Sequence, residues 1–408
     1  MTDVVIAGTG MTRFGKFPEA TMRTMAEEAV SGALADAGMS AADVGMVFFS
    51  NAVAGIITGQ EMIRGQVALR HTGLLGKPIV NVENACASAS TAFHLAVMAV
   101  ASGSVDVALA VGSEKLTHPD KARSFSAIGT AVDLFQIDEL KRWTRDGAAG
   151  LPVPIDAEED DSKRSFFMDV YAANTRAYME RSGATVEDFA EVAVKSHAHA
   201  ALNPCAQYRA PVTVEEVLAG RMVAHPLTLL MCSPIGDGAA AVVVCSAERA
   251  RRGGIDPVQV RASVLVSGTD HGPDEAGSVV RASALAFERA GIGPEDLNVI
   301  ELHDAAAPAE LMTYEELGLC PAGDGPALLR SGATRLGGQH VVNPSGGLLS
   351  KGHPIGATGC AQLVELADQL RGRCGERQVP GARTALAENA GGFLATDNAA
   401  IAITVLSV

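Results

Sequence analysis

Apolar and polar positions follow the same order in two distant stretches of the chain. Residues 27–52 read EEAVSGALADAGMSAADVGMVFFSNA, and residues 280–305 read VRASALAFERAGIGPEDLNVIELHDA. In each stretch, apolar residues recur at helical spacing up to an Ala-Gly pair. A short turn with a matching aspartate, Asp43 or Asp296, then precedes a strand of the buried type. The pattern predicts a duplicated α/β unit.

The similarity between the halves extends beyond these stretches. In each half a loop of small residues precedes an apolar run that predicts a helix, at 91–102 and at 361–371. Each half also closes with a predicted strand, at 105–113 and at 398–407. Because equivalent elements repeat, packing the two halves together is expected to bring the two loops to a shared centre.

The start of the chain predicts a helix boundary and argues against a dinucleotide cofactor. Thr24 and Glu27 have the spacing of a capping box, which predicts the start of the first helix. Gly8 and Gly10 follow a predicted strand, but Arg13 stands where a dinucleotide-binding fingerprint requires its third glycine. The glycines therefore predict a strand-end turn rather than a nucleotide site.

The segment from 115 to about 230 interrupts the repeat. It contains a turn-rich stretch and then predicted helices from about 166 to 202. The acidic run at 156–161 is typical of a solvated surface. The predicted division is an N-terminal half at 1–114 plus 231–250, an inserted loop domain at 115–230, and a C-terminal half at 251–408.

Composition and charge restrict the partners. The 408 residues are 48% hydrophobic and 19% charged, which is typical of a globular α/β protein. The formal charge of −15 repels nucleic acid and anionic membranes, so an anionic substrate requires a local basic patch. No apolar run reaches membrane-spanning length and the N-terminus lacks a signal-peptide pattern, so we expect a cytoplasmic protein without a membrane span.

Neither the cysteines nor the histidine pair predicts a metal site. The seven cysteines include no CxxC pair, so zinc and disulfides are not expected, and each cysteine is by default a small buried residue. His197 and His199 lie two residues apart on a predicted helix, which points them about 200° apart and prevents them from sharing one ion. We expect them to be surface or packing residues.

Cys86 differs from the other cysteines in its position. It lies at the start of a predicted helix, where the helix dipole and free N–H groups favour a thiolate, and its neighbours Ala85, Ala87 and Ser88 leave room for an acyl group. His353 lies in a glycine-rich loop of the other half and is able to take a proton from a thiol. The leading hypothesis is a Cys/His couple. The alternative is a buried cysteine and a solvated loop histidine.

Four segments resemble the landmarks of the thiolase superfamily, in the expected order and over essentially the whole chain. The His-Asp start of the third segment, together with KSHAHAALNP, is most similar to sterol-carrier-protein-type thiolases and their bacterial and archaeal relatives. The four segments are NACASAS at 84–90, CSPIGDGAAAVVV at 232–244, HDAAAPAELMTYEELG at 303–318 and GHPIGATG at 352–359.

This resemblance implies a thiolase fold of duplicated βαβαβ halves in a five-layered αβαβα arrangement, with an inserted loop domain. It also implies a homodimer or homotetramer that uses a coenzyme A thioester as substrate and has no tightly bound cofactor. Some relatives work with a small zinc-ribbon/OB-fold partner protein.

The resemblance also implies roles for individual residues. Cys86 would be acylated, and His353 would activate it. His303 would help to hold the thioester or enolate oxygen. The implied supporting residues are Asn343, which begins an Asn-x-x-Gly-Gly segment beside the histidine, Asn389, and the backbone of Gly391 and Gly392.

The chain departs from the family pattern at the second catalytic cysteine. Asn389 stands where standard thiolases have that cysteine, and Ala305 stands where sterol-carrier-type thiolases have theirs. Asparagine is not a base, so Claisen chemistry would need His303, His353 or a water. The function predicted is acyl transfer through Cys86, including Claisen condensation or thiolysis. A retro-aldol lyase and a non-catalytic acyl-CoA-binding subunit remain the alternatives.

Overall fold

A computed structural model of the protein describes residues 3–146, 165–272, 275–394 and 396–408; the acidic run at 156–161 lies outside them. The strands are β1 Val4–Met11, β2 Met46–Ser50, β3 Ile79–Val82, β4 Val107–Glu114, β5 Met222–Ala224, β6 Leu227–Thr228, β7 Gly238–Ser246, β8 Val258–Ser267, β9 Val299–Glu301, β10 Val341–Val342, β11 Thr384–Leu394 and β12 Asp397–Ser407. The α-helices are α1 Met22–Asp36, α2 Ala54–Thr58, α3 Arg64–Ala68, α4 Ser88–Ala101, α5 Lys121–Ile128, α6 Ile137–Asp146, α7 Phe166–Ser182, α8 Val186–Ala201, α9 Val214–Leu218, α10 Ala247–Gly253, α11 Ser278–Ala290, α12 Ala307–Glu316, α13 Gly325–Arg330 and α14 Thr358–Leu370.

The two halves have the same strand order. In the first half the order is β1-β7-β4-β2-β3, and in the second it is β8-β12-β11-β9-β10. The halves meet at β1 and β8. In each half, the two outermost strands make parallel pairs with their neighbours, and the three strands nearest to the meeting point make antiparallel pairs with one another. A short antiparallel contact between β1 and β8 joins them into one mixed ten-stranded sheet. The structure therefore shows the duplication that the apolar pattern predicts.

Two helices connect the halves through the core. Helices α4 and α14 contact each other, and each also contacts strands of both halves. Almost every residue of α14 is buried, as expected for a helix covered on all sides. Helix α1 packs on β1, β7 and β4, and α11 packs on β8 and β12. Within the described residues, none of the helices combines the length and apolar character that a bilayer crossing requires.

The repeated turn is the same in both halves. After α1, Asp43 accepts a hydrogen bond from Ser40 N (2.9 Å) at the start of a single 3-10 turn. After α11, Asp296 accepts one from Gly293 N (2.9 Å) in an equivalent turn. The two aspartates matched in the sequence therefore have the same local role, which is to cap the turn that leads into the buried strand.

The predicted capping box at Thr24 and Glu27 is wrong by three residues. Thr21 is the N-cap of α1, and Thr24 is the third residue of the helix. Thr21 N donates to Thr24 Oγ1, and Thr24 N donates to Thr21 Oγ1, both at 3.1 Å. The helix starts earlier because Met22 and Met25 are buried in the core, so the apolar face already begins at the first helical residue.

The glycines at 8 and 10 are part of β1 and do not form the predicted strand-end turn. A Cβ atom at Gly8 would lie 2.4 Å from Ala33 O, and one at Gly10 would lie 2.4 Å from Ala33 N. The two glycines therefore allow α1 to cross the strand at close range.

His197 and His199 are both buried and serve packing roles. His197 Nδ1 lies 2.8 Å from Ala210 O. His199 Nδ1 lies 3.0 Å from Asn343 O, and its Nε2 accepts from Leu336 N at 3.1 Å. Of the two sequence expectations, packing is correct and surface exposure is wrong, because both rings are buried and backbone groups of neighbouring loops pair with three of their four nitrogens.

Candidate active site

Cys86 lies in a tight turn between β3 and α4. The turn is a 3-10 segment, Ala85–Ala87, and Ala85 has a φ of 47° in the left-handed region. A non-glycine residue in this region is uncommon and costs about 1–3 kcal/mol, and such residues cluster at functional sites. The turn is held by Ala85 N, which donates to Glu83 Oε1 at 2.6 Å. Cys86 itself is buried and lines a cavity.

The structure brings Cys86 and His353 together from opposite halves. His353 Nε2 lies 3.2 Å from Cys86 Sγ, and His353 Nδ1 lies 2.7 Å from Thr358 Oγ1. The Thr358 hydroxyl in turn donates to Pro354 O at 3.1 Å. Because a carbonyl oxygen only accepts, the Thr358 hydroxyl uses its proton for Pro354 O, and Thr358 Oγ1 accepts from His353 Nδ1. The proton of the imidazole ring is therefore on Nδ1. The Nε2 lone pair therefore faces the thiol, the orientation that a general base requires.

The electrostatics of the pair differ from the sequence expectation. Burial, followed by the charges of Glu114 and Glu83, raises the pKa of Cys86 to about 12. Burial, with His303 and Lys351 nearby, lowers the pKa of His353 well below its usual value. The expected helix-dipole thiolate is therefore wrong. The resting pair is a thiol beside a neutral imidazole, because burial and two carboxylates outweigh the helix terminus.

This assignment predicts the pH dependence of Cys86 acylation. His353 accepts a proton only when neutral, and its lowered pKa keeps it neutral below pH 6.5. We expect the rate of acylation to be flat across neutral pH and to fall only below pH 6.5, measured by stopped-flow release of coenzyme A. A rate that rises up to the ordinary thiol pKa of about 8.5 would show that free thiolate reacts without the base.

Glu114 connects the segment after β2 to the GHPIGATG loop. Its carboxylate accepts hydrogen bonds from Ala52 N (2.9 Å), Gly356 N (2.9 Å) and Asn51 Nδ2 (2.7 Å). Burial raises its pKa to about 7. The residue ends β4 in the first half and holds the GHPIGATG loop of the second, so it helps to fix the loop of His353 against the first half. Sequence reasoning missed it, since a strand-end glutamate carries no distinguishing pattern.

His303 lies beside the pair with an unsatisfied nitrogen. Its ring meets that of His353 edge-on, with 5.2 Å between the ring centres. His303 N donates to Glu388 Oε2 at 2.8 Å, which fixes the backbone. Its Nε2 is buried and has no hydrogen-bond partner among the described residues. Burial lowers its pKa to about 4, so the ring is neutral at pH 7. A neutral imidazole with a free nitrogen is able to pair with a substrate oxygen.

These three side chains also form the one group in the described ranges whose spacing suits a metal ion. The ligand atoms of Cys86, His303 and His353 all lie within 4.8 Å of one another. Thiolate and imidazole are zinc ligands. The prediction of no metal rests on the sequence pattern and stays a prediction, and assays of this site require a chelator.

The predicted glycines lie next to Cys86. A Cβ atom at Gly391 would lie 2.2 Å from Asn84 O, so only glycine permits β11 to approach the Cys86 turn this closely. Gly392 has a φ of 67°, and its N–H, like that of Cys86, favours negative charge on the sulfur. These two N–H groups are available to an oxyanion that forms at Cys86.

The two predicted asparagines are buried and face away from the cavity. With its amide oriented to satisfy its neighbours, Asn389 donates to Cys86 O (2.9 Å) and accepts from Gly359 N (3.2 Å). Asn343 has a φ of 52°, accepts from Leu302 N (2.9 Å) and donates to Glu310 Oε2 (3.2 Å). Both asparagines hold backbone segments of the site, and neither lines the cavity.

The cavity above Cys86 has a volume of about 1070 Å³. Cys86, His353 and Ala305 line it together with aliphatic and aromatic side chains from both halves. Four cationic residues that also line it are Lys16, Arg64, Lys121 and Arg221. Two carboxylates, Glu61 and Glu83, line it as well, and Glu61 pairs with Arg64 at 3.0 Å. The lining therefore has more cationic than acidic side chains despite the net charge of −15, which favours an anionic substrate.

The Cys-His pair lies between repeated α/β halves and under a cavity that cationic side chains help to line, and this arrangement is the one that the thiolase resemblance implies. Comparison with known proteins agrees. Residues 4–248 match the family model described as "Thiolase, N-terminal domain", and residues 273–404 match "Thiolase C-terminal domain-like". The chain belongs to the thiolase family, as its motifs predict, and this family uses coenzyme A thioesters as substrates.

Three relatives show the range within the family. The chain is 40% identical to an acetyl-CoA acetyltransferase of Methanothermobacter thermautotrophicus, over 96% of this chain and 97% of that protein. It is 38% identical to the benzoylsuccinyl-CoA thiolase subunit BbsB of Thauera aromatica, over 95% and 94%. It is 37% identical to sterol carrier protein 2 of Rattus norvegicus, over 95% of this chain and 70% of that protein.

Among solved structures, the chain resembles an Ltp2-ChsH2(DUF35) aldolase. The TM-score is 0.75 at 26% sequence identity, and the match covers 100% of this chain and 98% of that chain. The relatives therefore include both acyltransferases and an aldolase, and the particular reaction has to be argued from the site.

Proposed function

We propose that the protein is a thiolase-like acyl-CoA acyltransferase that works through an acyl-Cys86 thioester. The second step is transfer to an acceptor, or Claisen condensation or thiolysis of a 3-ketoacyl-CoA. The observation that supports this proposal is the 3.2 Å contact between Cys86 Sγ and His353 Nε2 at the cavity wall. A nucleophile beside an oriented base is the arrangement that covalent acyl transfer requires.

The first half-reaction follows from the geometry. His353 Nε2 takes the thiol proton, and Cys86 Sγ attacks the thioester carbonyl. The oxyanion is stabilised by the free His303 nitrogen or by the N–H groups of Cys86 and Gly392. Collapse of the tetrahedral intermediate expels coenzyme A, whose sulfur takes the proton back from His353. The cationic side chains of the cavity lining, Lys16, Lys121 and Arg221, support binding of the phosphates of coenzyme A; Arg64 is paired with Glu61.

We also infer the assembly by analogy with the family. The five-layered αβαβα arrangement is supported by the contacts of four helices. Helices α4 and α14 pack between strands of both halves, and α1 and α11 pack on the outer faces. A homodimer or homotetramer is proposed. A small zinc-ribbon/OB-fold partner is supported by the similar aldolase, in which Ltp2 is combined with ChsH2(DUF35), and by BbsB, which is a thiolase subunit.

The second candidate is a retro-aldol lyase on a hydroxyacyl-CoA, which the similar aldolase structure supports. Such a lyase does not need a nucleophilic cysteine. The 3.2 Å contact between Cys86 Sγ and His353 Nε2 supports a nucleophile with its base, and it therefore favours the acyltransferase.

The test is the intact mass of the protein after incubation with a panel of acyl-CoAs, in the presence of a chelator. The acyltransferase proposal requires one added acyl mass with at least one thioester. If no thioester of the panel adds mass while a hydroxyacyl-CoA is cleaved, the lyase is the correct function. If neither occurs in the presence of a DUF35-type partner either, the chain is a binding subunit.

His303→Ala is expected to slow acylation by roughly 10²- to 10³-fold, the usual effect of removing one oxyanion donor. His303→Gln is the matched variant, because its amide retains an N–H at this position and should recover part of the rate. Single-turnover release of coenzyme A measures both. Equal rates in the alanine variant and the wild type would remove His303 from the oxyanion site.

A further inference from the structure

Three side chains of the site have the spacing of a metal-ligand set. Cys86 offers a sulfur, His303 and His353 each offer a ring nitrogen, and the three ligand atoms lie within 4.8 Å of one another. Around a tetrahedral zinc ion, ligands lie roughly 3.3–3.6 Å apart, since the bonds measure about 2.0–2.1 Å to nitrogen and about 2.3 Å to sulfur. Cys86 Sγ and His353 Nε2 are already 3.2 Å apart. Small side-chain movements therefore allow all three atoms to bind one ion.

His353 has the tautomer that metal binding requires. Its Nδ1 donates to Thr358 Oγ1 at 2.7 Å, so the free lone pair of the ring is on Nε2, next to the sulfur. A histidine that binds a metal almost always donates its other ring N–H to a partner in this way. The contact that orients His353 as a base therefore also orients it as a metal ligand.

His303 is an independent indication of a ligand. The residue is only 5% exposed, and its Nε2 is buried without a hydrogen-bond partner in the described part of the chain. Its ring meets that of His353 edge-on, with 5.2 Å between the ring centres. Buried polar atoms in proteins are normally paired, so this nitrogen needs a partner from outside the described chain. A metal ion beside the Cys86 sulfur would supply one.

The charges near the sulfur favour a cation. The carboxylate of Glu83, and that of Glu114 when it is ionised, act electrostatically on Cys86. Lys351 acts on His353 with the opposite sign, but its ammonium group pairs with Glu301 Oε2 at 3.1 Å. Because the lysine charge is compensated by its own partner, the two carboxylates give the site a net attraction for a positive ion.

We propose that Cys86, His303 and His353 bind a thiophilic divalent metal ion such as Zn²⁺, and that the bound ion reversibly blocks acylation of Cys86. The binding step balances: the ion replaces the thiol proton, which passes to water, and the sulfur and two ring nitrogens donate the electron pairs of the new bonds. Those electron pairs are then no longer available to a nucleophile or its base. The block of acylation rests on the function proposed above, whereas binding of the ion does not.

The ligand types select the kind of ion. Sulfur and imidazole suit zinc, whereas Mg²⁺ and Ca²⁺ prefer oxygen ligands. Zinc is the suitable probe because it has no redox chemistry that would oxidise the cysteine. Three protein ligands with water in a fourth position are typical of open zinc sites, and Cys86 and His353 line the cavity that gives access to water. The cysteine spacing in the sequence does not predict such a site, because its ligands come from both halves of the chain.

The first measurement is binding of Zn²⁺ to chelator-treated protein, by dialysis against zinc buffers and elemental analysis of the bound metal. Thr358→Val keeps the three ligands but removes the partner of His353 Nδ1, and should weaken binding about 10- to 100-fold. Cys86→Ala and His303→Ala each remove a ligand and should weaken it further. The matched control is Cys232→Ala, which removes a cavity cysteine without a histidine beside it in the described ranges and should keep the wild-type affinity.

Cobalt distinguishes a lost ligand from a damaged fold. Co²⁺ accepts the same ligands as zinc, and its bond to a thiolate adds an absorption band in the near ultraviolet. We expect this band in the wild type and in Cys232→Ala. It should be absent in Cys86→Ala, while circular dichroism of that variant stays the same as that of the wild type.

The second measurement is acylation of Cys86 with and without Zn²⁺. We expect acylation to stop over the zinc concentrations that fill the site, excess chelator to restore the full rate, and Mg²⁺ at the same concentrations to have no effect. Zinc binding that is equal in Cys86→Ala, His303→Ala and the wild type overturns the inference, as does a zinc-filled protein that is acylated at the full rate. If zinc binds through these residues but no thioester acylates the metal-free protein, the metal site stands and the proposed function has failed.

Discussion

Cys86→Ala is expected to abolish the acyl adduct that the wild-type protein forms with its thioester substrate. The physical reason is that Cys86 combines a base at 3.2 Å with access to the cavity. Cys245 and Cys360 are fully buried in the core and do not line the cavity. Burial raises their pKa values to about 11 and about 12, and neither has a histidine partner among the described residues.

The cavity offers a matched control for this experiment. Cys232 also lines it, but its Sγ donates to Thr228 O (3.5 Å) and has no histidine beside it within the described part of the chain. Cys232→Ala should therefore still form the adduct. Intact-protein mass gives the extent of acylation, and peptide mapping gives its position. An adduct that persists in Cys86→Ala, or that maps to Cys232, would show that the nucleophile has been assigned to the wrong residue.

The sequence was sufficient to predict the repeated architecture and the pairing of loops. The two matching stretches around Asp43 and Asp296 have the same periodicity and the same turn, and equivalent elements pack in equivalent places. This equivalence is what brings the loops of Cys86 and His353 to one centre, 267 residues apart in sequence. The pairing of the Cys86 and His353 loops was predictable because it depends on a local helix–turn–strand pattern that occurs once in each half.

The protonation states of the pair were not predictable in the same way. The helix start near Cys86 suggests a thiolate, but the burial and the Glu114 charge that oppose it come from a strand end and from tertiary packing. Thr358 orients His353 only because the loop turns back onto the start of α14.

His353→Ala is expected to slow acylation of Cys86 by roughly 10²- to 10⁴-fold, the usual contribution of a positioned general base. The effect is large because the pKa of Cys86 is raised to about 12, so the buried thiol is almost entirely protonated at neutral pH without a base to remove its proton. Coenzyme A binding should survive, since the cationic lining residues are unchanged. Single-turnover release of coenzyme A gives the rate, and calorimetry gives the binding.

The pH dependence separates a lost base from a damaged site. In His353→Ala, only the thiolate fraction reacts, and this fraction grows about tenfold per pH unit below the thiol pKa. We therefore expect the rate of the variant to rise steadily with pH while the wild-type rate stays flat. Thr358→Val is the matched variant: it keeps the imidazole but removes the partner of Nδ1, so its loss of rate should be smaller and its profile flat. A pH-independent loss in His353→Ala, or the loss of coenzyme A binding, would mean that His353 supports the loop and does not act as the base.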